Sequence, residues 1–98
     1  MMIEIKKNQE ETLIEIVGRL DTITAPVLDR TINNDIGDIK NLVLDVKGMD
    51  YISGAGIRVL LAAHQKIQKN GSMKIIGVCK DVMEAFTEIG FSDVFCIE

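Results

Sequence analysis

The sequence predicts an α/β domain, a four- to five-stranded mixed β-sheet with helices packed mainly on one face. Three observations carry that expectation. Asn41-Leu42-Val43-Leu44-Asp45-Val46 is a short, nearly continuous apolar run bounded by polar residues, the pattern of a central strand buried on both faces. Ser53-Gly54-Ala55-Gly56 leads directly into the most regular amphipathic helix of the chain. Strand and helix patterns alternate in the order β-β-α-β-α-β-α-β, and the crossover connections this order needs imply largely parallel pairing.

The elements follow in order. Period-two alternation in Met2 to Lys7 and in Thr12 to Val17, around the polar stretch Asn8-Gln9-Glu10-Glu11, predicts a β-hairpin whose second strand ends at Gly18. Asp21-Thr22-Ile23-Thr24-Ala25-Pro26 supplies capping residues and then a proline suited to the first turn of a helix. That helix is expected from about Ala25 to Asn34, with Val27, Ile32 and Ile36 as its loosely periodic apolar positions and Asn33-Asn34 and Gly37 at its end. After the central strand, Ile57, Leu60, Leu61, His64 and Ile67 share one side of a helix, Gln65, Lys66 and Lys69 the other, and Asn70-Gly71 stops it. Met73 to Val78 reads as another buried strand, Asp81 to Ile89 as a short amphipathic helix ended by Gly90, and Val94 to Ile97 as a last strand.

Ninety-eight residues suit one domain, residues 1–98, with a single core. Hydrophobic residues make up 47% of the chain and aromatics only 4%, without Trp, so Ile, Val, Leu and Met must build that core. So few rings leave little for base stacking or for a small-molecule pocket. Formal net charge is −4 and the cations are dispersed, which argues against direct nucleic-acid binding. No long apolar run suggests export or membrane insertion, and a cytoplasmic location is expected. Cys79 and Cys96 match no metal or redox spacing and read as reduced packing residues.

Enzymatic chemistry is not expected. His64, the one histidine, falls inside a helix beside its apolar face, away from Ser53, and reads as a packing residue. Asp35 with Asp38 and Asp45 with Asp50 are turn residues without His or Cys partners, so no metal is expected. Neither GxxxxGK[ST] nor GxGxxG occurs, so no nucleotide cofactor is expected either. The Ser53 to Gly56 turn does offer unpaired amides at the positive end of a helix, open to an anion or to a partner's carboxylate. On spacing alone, a simple helix cap explains it equally well.

Gly18-Arg19-Leu20-Asp21, Leu42-Val43-Leu44-Asp45, the stretch Met49-Asp50-Tyr51-Ile52-Ser53-Gly54-Ala55-Gly56-Ile57-Arg58-Val59-Leu60-Leu61 and Gly90-Phe91-Ser92-Asp93-Val94-Phe95 together resemble the STAS domain of bacterial anti-sigma factor antagonists. The resemblance covers nearly the whole chain. It implies a protein-binding regulator that engages an anti-sigma factor with kinase activity and so releases a sigma factor. It further implies phosphorylation of a Ser or Thr in the loop before the long helix, reversed by a serine phosphatase. Family members commonly read Asp-Ser-Ser-Gly or Asp-Ser-Ala-Gly there. With Gly56 on the family glycine, Ser53 falls on the aspartate position, and Gly54 and Ala55 occupy the usual acceptor positions. Either Ser53 accepts phosphate from a shifted position, or the protein binds its partner constitutively. The partner-binding surface is expected to join Asp21, Thr22 and Thr24 with Ser53, Gly54, Ala55, Gly56 and an exposed Arg58, because both turns connect a strand to a helix at one sheet edge. A soluble STAS subunit regulating a lipid or anion transport system is the alternative.

Overall fold

A computed structural model describes residues 1–7, 10–35 and 39–98, of Asp35 only the backbone. The elements are β1 (Met2–Lys7), β2 (Glu11–Leu20), α1 (Ala25–Asp35), β3 (Asn41–Ile52), α2 (Gly54–Ile67), β4 (Ser72–Ile76), α3 (Lys80–Ile89) and β5 (Cys96–Ile97). The strands lie in chain order, β1-β2-β3-β4-β5. β1 runs antiparallel to β2, and every later pair is parallel. The mixed five-stranded sheet expected from the sequence is therefore present.

Each crossover steps to the next strand in the same direction, and right-handed crossovers then carry all three helices to one face. The core shows this arrangement. Leu28 and Ile32 of α1, Leu60 and Ala63 of α2 and Phe86 of α3 belong to one cluster with Ile14, Leu44 and Ile75 of the sheet. Among the described residues the opposite face carries no helix. Its central positions are nevertheless closed, since Val43 and Asp45 are both buried, as the continuous apolar pattern of β3 suggests. Burial pushes the Asp45 carboxyl up, but hydrogen bonds from the Lys47 amide and ammonium, both 3.1 Å, and the lysine charge outweigh it and hold the group below its ordinary value.

Several boundaries differ from the sequence reading. β2 continues past Gly18 to Leu20, because Gly18 at φ +103° lets the strand shift register between Gly18 and Arg19 instead of ending. β3 continues through the polar Lys47 to Tyr51 as far as Ile52, its pairing with the prolonged β2 outweighing the loss of apolar pattern. β4 stops at Ile76, where Gly77 turns at φ +75°, and β5 is confined to Cys96–Ile97. In α1 the buried apolar positions are Ala25, Leu28 and Ile32, a spacing of three and four, whereas Val27 faces solvent. Asn8, Gln9, Ile36, Gly37 and Asp38 lie outside the described residues. Among the described residues no helix is long and apolar enough to cross a membrane.

Candidate functional site

β2 and β3 finish side by side. Leu20 pairs with Ile52, and the Ser53 amide donates to the Leu20 carbonyl at 2.9 Å. The chain therefore leaves the sheet twice at one place, into the Asp21–Thr24 turn before α1 and into the Ser53 turn before α2. Two loops far apart in sequence form one surface as a result.

The first turn is fixed by reciprocal hydrogen bonds. Asp21 Oδ1 accepts from the Ile23 and Thr24 amides, both at 3.0 Å, and Thr24 Oγ1 accepts from the Asp21 amide at 2.9 Å. The Thr24 hydroxyl donates to the Arg19 carbonyl at 2.7 Å. The Thr24 amide is the main reason the Asp21 carboxyl is held below its ordinary value, supported by the Ile23 amide and the Arg19 charge. Thr22 is exposed and Thr24 half-buried. This is capping chemistry that uses both ends of the turn.

Ser53 caps α2. Its backbone is extended, at φ −98° and ψ 172°, and its Oγ accepts from the Gly56 amide at 3.3 Å. The preceding amides of Gly54 and Ala55 have no acceptor within a helix by geometry and point outward from its positive end. The three small residues do different work. A Cβ at Gly56 would stand 2.8 Å from Leu20 Cγ and 2.9 Å from Ile52 Cγ1, so this buried glycine lets α2 approach the sheet. Ala55 is half-buried against the core. Gly54 is exposed, and a Cβ there would meet nothing within 4 Å, so it leaves the start of the helix bare. Arg58 is exposed one turn further on.

The structure adds residues that sequence reasoning missed. Ile23 is 82% exposed, Val27 47% and Tyr51 39%, all beside these turns. The Arg19 guanidinium lies 4.1 Å from the Tyr51 ring centroid and 3.9 Å from Asp21 Oδ2. Arg19 and Tyr51 are register partners only because β2 and β3 run on past the points where their apolar patterns stop. Ile23 carried a signal of its own, an isoleucine between two threonines in a capping turn where the core has no use for it. Exposed aliphatic and aromatic side chains beside guanidinium groups are a composition common at protein-binding surfaces.

The histidine and the cysteines lie apart from these residues in the sequence. His64 is half-buried, edge-on to Phe95 at 5.9 Å between ring centroids, and its buried Nδ1 has no hydrogen-bond partner among the described residues. Cys79 is half-buried, with its thiol donating to the Met49 carbonyl at 3.6 Å, and Cys96 is exposed. Among the described residues no three His, Cys, Asp or Glu side chains converge as metal ligands.

A family model of the STAS domain matches residues 2–98, almost the length of the chain. The chain belongs to the STAS-domain family. This STAS domain is 23% identical over 96 residues, 97% of its length and 88% of the relative's, to the anti-sigma-B factor antagonist of Bacillus subtilis. It superposes on the crystal structure of an anti-sigma factor antagonist from Mycobacterium paratuberculosis with a TM-score of 0.89 at 18% identity, over 98% of this chain and 83% of that one. The unphosphorylated anti-sigma factor antagonist SpoIIAA gives 0.85 at 13% identity, over 99% of this chain and 88% of that one. At such identities the structural likeness is one of fold, and the residues of the two turns must speak for themselves.

Proposed function

We propose that this STAS domain is an anti-sigma factor antagonist, a cytoplasmic regulator that binds an anti-sigma factor through the paired turns at the ends of β2 and β3. The observation that carries the reading is the joined surface itself. Bare amides at the start of α2 adjoin exposed Ile23, Val27 and Tyr51, with Arg19 and Arg58 to meet acidic groups on the partner. The Bacillus subtilis relative, similar over nearly the whole length of both chains, is itself named as such an antagonist.

The switch departs from the family pattern. A partner kinase meets no hydroxyl at Gly54 or Ala55, and the Ser53 hydroxyl already serves the Gly56 amide. Ser53 is thus a helix cap, and binding is constitutive, controlled by the amounts of the two proteins. A serine phosphatase then has no substrate in this turn. The test is release of a sigma factor. Added to a purified complex of sigma factor and cognate anti-sigma factor, the protein should free the sigma factor in proportion to its concentration, with or without ATP. Failure to displace it in either condition contradicts the antagonist reading and favours the transport-system alternative.

A further inference from the structure

Of the two sheet edges, β5 has two residues and β1 six. β1 pairs with β2 in unbroken register from Met2 opposite Val17 to Lys7 opposite Thr12, without the shifts that bend β2 against β3, and it contains no proline. A straight, bulge-free edge of this length is a template for another strand. Its lysines oppose indiscriminate pairing, and so they also select what can pair.

We propose that β1 joins β1 of a second copy of this chain, antiparallel and centred on Ile5, so that Glu4 of each copy meets Lys6 of the other. A two-fold axis perpendicular to the sheet keeps the helices of both copies on one side, so residues of the same face must stand opposite each other. Centring on Glu4 or on Lys6 places like charges together, and centring on Ile3 leaves a contact of only three residues within the strand, Met2 to Glu4. Centring on Ile5 brings Glu4 opposite Lys6 twice and Ile5 opposite Ile5 on the core side, where Ile3 and Ile5 already pack half-buried against the core.

The charges of a single copy favour the same register. Glu4 lies directly opposite Glu15, and Lys6 Nζ donates to Glu15 Oε1 at 3.2 Å. Two carboxylates side by side on an exposed strand pair repel, and a second copy's Lys6 beside Glu4 offsets that repulsion. The two-fold axis also reverses strand direction between copies. The ends of β2 and β3 that carry the candidate binding surface point opposite ways, and both stay accessible.

Sedimentation equilibrium of the whole protein, with circular dichroism and melting curves as controls for folding, tests this pairing. The parent should be dimeric and should dissociate as salt is raised. Glu4→Lys and Lys6→Glu each place like charges at both contacts, and each alone should dimerise at least about tenfold more weakly while folding normally. An equal mixture of the two variants restores every Glu–Lys contact and should form a mixed dimer as tight as the parent's. A parent that stays monomeric overturns the proposal, as do single variants that dimerise like the parent or a mixture that fails to associate.

Discussion

Gly54 and Gly56 stand two residues apart, and their surroundings give them opposite tolerances. Gly56→Ala drives a methyl to within 3 Å of Leu20 and Ile52 and should destabilise the fold by about 1–3 kcal/mol, as overpacking does. Gly54→Ala adds a methyl in open space at an ordinary backbone conformation and should be neutral or stabilising by up to about 1 kcal/mol. Urea titrations of the two variants measure the difference. The same scale decides the role of Ser53. As a cap it should cost about 0.5–2 kcal/mol when replaced by Ala and almost nothing when replaced by Asp, whose carboxylate caps equally well. Ser53→Asp should also bind the anti-sigma factor like the parent. Phosphate incorporation by a partner kinase that disappears in Ser53→Ala would show instead that Ser53 is the acceptor.

At the scale of elements, the turn between β2 and α1 carries a pH dependence. The folded Asp21 carboxyl titrates below its ordinary range, so its contribution to stability is complete above that range and is lost as pH falls through the lowered value. Asp45 acts in the same direction. Asp21→Asn should therefore be less stable than the parent near neutrality and melt with a shallower dependence on pH below about pH 4, so that the two converge in acid. An unchanged acid slope would remove Asp21 from the account. Helix α2 is the element on which the sequence was clearest, because Ile57, Leu60 and Ile67 repeat on one face, and all three are buried. Leu60→Ala should cost about 2–5 kcal/mol in denaturant unfolding, and a loss below about 0.5 kcal/mol would place Leu60 at the surface. Helix α1 was harder to phase. Val27, one residue before Leu28, has the same hydrophobic character, and only the packing of Leu28 and Ile32 on the sheet separates them.

For the whole molecule, the order and type of the elements were legible because alternating or continuous apolar runs give way to helical stretches bounded by capping and turn residues at each crossover. The extents of β2 and β3 were not. Their last residues, from Gly18 to Leu20 and from Lys47 to Ile52, are held in the sheet by pairing with each other, and a single-strand pattern contains no sign of that. The candidate surface was legible to the same degree. The two turns were placed at one edge from topology, but the Arg19–Tyr51 stack and the exposed Ile23 and Val27 emerged only with the folded chain. The central claim is that this edge binds the anti-sigma factor at the bare start of α2. Titration calorimetry with the cognate anti-sigma factor, on the parent and on Gly54→Arg, tests it most directly. Arginine at Gly54 has room to fold and should block close approach, so the account predicts loss of measurable binding with an unchanged melting curve. A folded Gly54→Arg that binds with the parent's affinity would contradict it and place the interface elsewhere.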